Sequence, residues 1–371
     1  MFSFRWIYTS WFWIAAGILT LLLYHLPLIN AAAAYDWYFK NLFQLLRVLY
    51  DYSLGWSPIP FLYVAVLILS FLISSQLRKK TQVQKVGHKM KRIFIRIPAV
   101  AGMIIFSFYL LWGFNYKRDG LFNELNITSD QPDTAYLLSE TDQVVRLLNS
   151  VRYLISSDTN PLSIAVPFLK IESEIRDQQE KILKQWNIPV WGRVRVRKLH
   201  PEGVILRWSA AGIYIPFFME GHIDGGLHPI QWPFVAAHEM AHGYGYTDEG
   251  DCNFVGFLSC VQSEDPYIQY SGWLTYFRYL IRDVRKADKD KAKYLFSKLD
   301  TAVKNDLFAI QQQSEKFPDL LPWWRDVVYE NYLRTHGVKE GLLSYNKIVQ
   351  QLFTWRKSNH FPHIPGHQSS K

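Results

Sequence analysis

Hydrophobic positions along this chain fall into two regimes: unbroken runs up to about residue 114, and periodic patterns beyond it. The runs are Trp11 to Ile29, Ser57 to Ser74 and Ile97 to Phe114. At 1.5 Å per residue, each is about the length a helix needs to cross a hydrocarbon core of roughly 30 Å. They predict an α-helical membrane anchor over 1–114 with three transmembrane helices, about 11–29, 57–74 and 97–114. Trp11 and Trp13 at one edge of the first run and Tyr24 near the other suit interfacial anchors. Ala31 to Ala34 keep open a second reading of that run, a signal peptide with a small-residue cleavage site.

After a polar, turn-rich link (115–135), amphipathic stripes return. Val144, Leu147, Leu148, Val151 and Leu154 share one helical face within Leu137 to Leu154, and Phe168, Ile171, Ile175, Ile182 and Trp186 share another within Ser163 to Trp186. Short strands are expected around Val190 to Val196, over Val204 to Trp208 and over Gly212 to Pro216, with Arg193, Arg195 and Arg197 on a wet face. Helices follow at Phe234 to Tyr244, Gly250 to Ser263, Ile268 to Val284, Lys289 to Lys304, Trp323 to Thr335 and Leu342 to Trp355. The expected fold is thus a helical anchor plus an α+β, mainly helical domain over 136–358, ending in a flexible tail at 359–371.

Charge refines the membrane reading. The formal net charge is +9, but Arg78, Lys79, Lys80, Lys85, Lys89, Lys91 and Arg92 sit together between the second and third runs. Arg5 and Arg96 supply two more positive charges, leaving the chain after Asn115 close to neutral. Basic loops stay on the cytoplasmic side, so three crossings would put that later domain outside. The basic balance thereby reports a lipid bilayer as partner and gives no support to nucleic-acid binding. Cys252 and Cys260, if on one helix, stand about 12 Å apart, too far for a disulfide, and are expected free and buried.

The segment that carries chemistry is His238-Glu239-Met240-Ala241-His242. Four residues along a helix return a side chain to nearly the same direction, so both imidazoles can approach one metal ion. Glu239, beside the first of them, suits proton transfer with a water activated by zinc. A catalytic zinc usually takes a third protein ligand. Asp248, Glu249 and Asp251 are all available, and Asp251 is favoured because Gly250 allows a sharp entry into the next helix. The unused acids would then orient a histidine from behind. His222 and His228, in a glycine-rich approach loop, are weaker alternatives. Tyr270, Tyr329, Tyr332 and His336 are candidates for contacting substrate or a developing oxyanion, and Gly212, Ile213, Tyr214 and Ile215 form a candidate edge strand for an extended substrate.

The run HEMAHGYGYTDEGDCNFVGFLSC, together with GIYIPFFMEG (212–221), Tyr270-Ser-Gly-Trp-Leu and YENYLRTHGVKEGLLSY (329–345), resembles a family of bacterial membrane proteins of unknown function regarded as zinc peptidases of the glutamate-zincin type. The resemblance implies a zincin-like metallopeptidase domain, zinc as cofactor, a peptide or protein substrate, and a multi-pass location in the bacterial cytoplasmic membrane with an extracytoplasmic catalytic domain. Residue by residue, it implies His238 and His242 as ligands and Glu239 as the catalytic acid and base. Asp251 stands where the family has the glutamate of an EANF-like segment, and Glu220 stands at an acidic position before a glycine-containing loop. Two other functions compete with peptide hydrolysis: a non-catalytic extracytoplasmic binding or scaffolding module with a metal site, and a cell-wall amide hydrolase.

Overall fold

The computed structural model describes residues 2–26, 29–78, 86–163, 166–320 and 347–358. Two compact units emerge. Met1–Arg118 with Ile215–Glu220 forms one, and Asp119–Tyr214 with Gly221–Lys371 the other.

In the first unit, α1 (Phe2–His25) crosses α5 (Val86–Leu111) with almost no space between backbones. A Cβ placed on Gly17 would lie 2.5 Å from Gly102 Cα, and one on Gly102 would lie 2.2 Å from the carbonyl oxygen of Trp13, so only glycine permits this approach. Between these helices in sequence, α2 (Ala31–Ala33), a wider π-helical stretch (Ala34–Phe43) and α3 (Gln44–Ser53) run continuously through the segment that separates the first two apolar runs. The helix α4 (Phe61–Arg78) begins where the Glu220 carboxylate accepts the N–H of Phe61 at 3.1 Å. An anion at that end complements the helix dipole.

The three-crossing anchor is corrected here. Among the described residues one helical segment, Phe94–Leu111 within α5, is long and apolar enough to cross a membrane. The apolar parts of the other two helices, Thr9–His25 and Phe61–Ser75, are shorter. They extend roughly 26 and 23 Å, below the thickness of a typical hydrocarbon core. The multi-pass location therefore falls, and the outside placement of the later domain, which rested on counting three crossings, falls with it.

The second unit is mainly helical. It comprises α6 (Leu121–Glu124), α7 (Thr134–Ile155), α8 (Phe168–Gln185), α9 (Trp232–Gly243), α10 (Glu249–Val261), α11 (Pro266–Ala287), α12 (Lys289–Ser297), α13 (Thr301–Glu315) and α14 (Ile348–Lys357). A small sheet joins them, built from β1 (Arg195–Leu199), β2 (Gly212–Ile215) and β3 (Glu220–Asp224) in the order β1-β3-β2. Phe254, Phe257, Trp273, Tyr276 and Trp355 fill its core. The expected link at 115–135 takes part in that core: Leu121 and Phe122 are buried, and the Phe122 ring stands 5.1 Å from that of Phe254.

Several local expectations need revision. Val204 to Trp208 holds a 3-10 turn (Leu206–Trp208) in place of a strand, because the Asp224 carboxylate gathers the N–H groups of Gly203, Ile205 and Leu206 into a tight loop. Arg197 is buried beside Glu172 at 3.4 Å and does not lie on a wet face. Leu154 is exposed, off the buried stripe of α7. The expected helix over Lys289 to Lys304 is broken into α12 and α13. The helix expected at Trp323 to Thr335 and the tail at 359–371 lie outside the described residues. Cys252 and Cys260 are free and buried, as expected.

Candidate metal centre

The candidate site is made by two consecutive helices and the sheet beside them. Trp232 and Pro233 open α9, where a proline's missing N–H costs nothing. The helix is buried along almost its whole length, so the polar rings of His238 and His242 need partners inside the protein. After Gly243 the chain turns through Gly245, whose φ of +91° falls in the region glycine enters without strain. That turn brings the carbonyl of Tyr246 back to 2.9 Å from His242 Nδ1.

Next, α10 starts at Glu249 with Asp248 as its cap, the Asp248 carboxylate accepting the N–H groups of Gly250 at 2.9 Å and Asp251 at 3.2 Å. Successive helical residues turn by about 100°, so Glu249 and Asn253 share a face while Asp251 points nearly opposite. The shared face is turned toward α9. Glu249 Oε2 stands 3.0 Å from His238 Nε2 and 3.5 Å from His242 Nε2. Asn253 Oδ1 stands 2.9 Å from His238 Nδ1. Gly256, one turn further on, keeps the helices close, since a Cβ there would lie 3.2 Å from the backbone nitrogen of His238.

His238, His242 and Glu249 thus form a buried trio whose ligand atoms lie within 4.8 Å of one another. Asp251, the residue favoured as third ligand, lies outside this trio. Its carboxylate accepts the N–H of Leu121 at 2.8 Å and the amide of Gln351 at 2.7 Å, tying α10 to the start of α6 and to α14. Glu249, the longer-armed alternative, occupies the position instead.

The orientation of the imidazoles is compatible with a metal ion. A backbone carbonyl can only accept, so His242 carries a proton on Nδ1 and turns Nε2 toward the trio. Asn253 fixes His238 in the same tautomer when its amide oxygen accepts from Nδ1, and its amide nitrogen donates to the hydroxyl of Tyr279 at 3.3 Å. Cys252 Sγ lies 3.3 Å from His242 Nδ1, but burial pushes its thiol up to about 12, so it contributes a neutral S–H and no thiolate. Burial by itself would raise the Glu249 carboxyl, yet the adjoining His242 and His238 outweigh it and hold Glu249 below the usual carboxylate range. For His242 burial acts downward, and Cys252 and Glu249 prevail to push it well above the usual histidine value. With the thiol neutral, the Glu249 carboxylate is the charge that favours a cation at this point. Once an ion displaces the proton from Nε2, two imidazole nitrogens and one carboxylate make the donor set that zinc takes at catalytic sites.

Glu239 sits beside the trio and outside it. It is buried, Oε2 has no hydrogen-bond partner among the described residues, and burial raises its carboxyl against the opposing pull of His238 and His242. Two glycines of the sheet back it. A Cβ on Gly212 would lie 2.5 Å from Glu239 Oε1, and one on Gly221 would lie 3.0 Å from Glu239 Cβ. An uncompensated buried carboxylate oxygen next to a donor trio is the feature a metal ion and its substrate would satisfy.

Other sequence candidates are placed elsewhere. Glu220 caps Phe61 as described above. The Tyr270 hydroxyl donates to Asp306 at 2.8 Å, in a buried network with Arg152. His228 accepts the N–H of Ile230 at 3.4 Å in a 3-10 turn, while His222 is buried on β3 within electrostatic reach of Glu239. Gly212 to Ile215 does form a strand, and the order β1-β3-β2 leaves it at an edge. Tyr329, Tyr332 and His336 lie outside the described residues. Asn253, the Tyr246 carbonyl and Tyr279 were missed. The four-residue spacing from Glu249 to Asn253 was the available signal for the first.

No curated protein and no solved structure matches this chain. Residues 38–353 match one family model, a span that includes both helices of the metal centre, and the chain accordingly belongs to the family described as Protein of unknown function (DUF3810).

Proposed function

We propose that this protein is a zinc-dependent peptidase, with His238, His242 and Glu249 as metal ligands and Glu239 as the group that moves protons. The observation that carries the reading is the buried His238–His242–Glu249 trio with the unpartnered Glu239 carboxylate oxygen beside it. Zinc held there would supply Lewis acidity toward a substrate carbonyl and would lower the pKa of water. Asn253 and the Tyr246 carbonyl hold the two imidazoles in the ligating tautomer. Glu239, dry and cradled by Gly212 and Gly221, accepts a proton from the attacking water and returns it to the leaving amine. An extended peptide adds to β2, the last strand in the sheet order, along Gly212 to Tyr214, adjacent to Glu239, where the Tyr214 ring lies 6.4 Å from that of His242.

The test uses the full-length protein loaded with zinc and a mixed peptide library, with cell-wall fragments as a second substrate. Peptide cleavage that falls by about 10²- to 10⁴-fold in Glu239→Gln, with zinc retained, supports the proposal. Cleavage confined to cell-wall amides would replace the peptidase with an amide hydrolase. Bound zinc with neither activity would leave a non-catalytic binding module.

A further inference from the structure

The continuous helix from Ala31 to Ser53 buries Ala34, Tyr38, Phe39 and Phe43 in its first half, and its last part, α3, is inverted relative to a helix packed in water. Its inward face is polar: Gln44, Arg47 and Asp51 are buried, Arg47 donating to Asp51 at 2.8 Å and to the carbonyl of Met219 at 3.0 Å. Its outward face is apolar: Leu45 is 50% exposed, Leu49 56% and Tyr52 72%, with Trp37 before it at 69% and Trp56 just beyond at 74%. The spacing Leu45, Leu49, Tyr52, Trp56 repeats every three or four residues, so these side chains make one stripe and are not scattered. A water-facing helix would be stable the other way round, with its ion pair outside.

The same unit fixes what that stripe meets. The Tyr38 hydroxyl donates to the carbonyl of Leu110 at 3.0 Å, one residue before the end of the membrane-crossing stretch at Leu111. The helix is therefore pinned at the level where the span leaves the hydrocarbon. Tyrosine and tryptophan favour that depth. Lysine and arginine gather there too: Lys117 over the Tyr24 ring at 4.7 Å and Arg118 over the Phe39 ring at 3.6 Å. Long cationic side chains at such a level reach the phosphate of headgroups. Beneath the helix, Leu23, Trp37, Leu42, Phe106 and Leu110 line a cavity of about 410 Å³. The two hydroxyls along it, of Thr20 and Tyr38, are spent on backbone carbonyls, so its wall offers a ligand little but hydrocarbon.

We infer that Ala31–Ser53 is an in-plane membrane helix that lies in the bilayer interface with Trp37, Leu45, Leu49, Tyr52 and Trp56 against lipid, giving the chain a membrane attachment beside the Phe94–Leu111 span. Such a helix gains affinity from buried apolar area and from anionic headgroups together.

Spin labels on Leu45→Cys, Leu49→Cys and Tyr52→Cys, each in the full-length protein in phosphatidylcholine–phosphatidylglycerol liposomes, test the inference. Asp290→Cys, whose parent side chain is 94% exposed, serves as the aqueous control. Cys252 and Cys260 are buried, and the unsubstituted protein reads their background. The ratio of collisions with dissolved oxygen to collisions with a water-soluble nickel chelate is expected to be several-fold higher at 45, 49 and 52 than at 290. A ratio equal to the control would put the stripe in water and overturn the inference. Weak collisions with both reagents would show a protein surface covering it, a second copy or a partner, and would overturn it equally.

Discussion

Asn253 Oδ1 and His238 Nδ1 lie 2.9 Å apart across the α9–α10 interface, and that hydrogen bond selects which nitrogen of His238 faces the metal centre. Removing the acceptor frees the ring to rotate and to change tautomer. Asn253→Ala is expected to weaken zinc binding by about 10- to 100-fold, the usual effect of losing a partner behind a ligand. Competition against a chelator of known affinity measures it. An unchanged affinity would mean that the bond is ornamental.

Gly212 and Glu239 make a steric prediction that is independent of ligand chemistry. In Gly212→Ala the new methyl carbon would stand 2.5 Å from Glu239 Oε1 and 2.7 Å from the carbonyl oxygen of His222, so either the carboxylate or the strand must move. We expect zinc content to persist, cleavage to fall at least tenfold, and stability to drop by about 1–3 kcal/mol, as for other overpacked sites. Wild-type turnover in this variant would show that Glu239 need not be held where it is.

Asp251 should behave as a structural acid. Asp251→Ala leaves the N–H of Leu121 and the amide of Gln351 without their acceptor. Each buried donor left unmet costs about 1–3 kcal/mol. The expected phenotype is a lower melting temperature with zinc bound in the native proportion in the folded fraction. Loss of zinc without loss of stability would return Asp251 to the ligand set.

How much of this was legible beforehand depends on which cues are local. The His238 and His242 pair is a four-residue repeat on one helix, and a helix carries that relation with it wherever it packs. The third ligand depended on where the next helix begins. Starting it at Gly250 favours Asp251, whereas the Asp248 cap starts it at Glu249 and sets Glu249 and Asn253 on the inner face. The strand β3 was missed because Glu220, His222 and Asp224 are polar yet buried, which hides the usual alternation. The helix over Ala31–Ser53 was not predicted for a related reason: in its last part Gln44, Arg47 and Asp51 face inward while Leu45, Leu49 and Tyr52 face outward, so that stripe does not mark a core. The apolar runs were plain to see, but whether each persists as a helix across the full hydrocarbon thickness was not.

The central claim is that Glu249 completes a metal site with His238 and His242. Metal content per chain, measured on full-length protein after zinc loading and exhaustive dialysis, tests it most directly when the wild type is set beside Glu249→Ala and Asp251→Ala. About one zinc per chain is expected in the wild type and in Asp251→Ala, and close to none in Glu249→Ala. A full complement of zinc in Glu249→Ala with none in Asp251→Ala, or no zinc in the wild type, would contradict it.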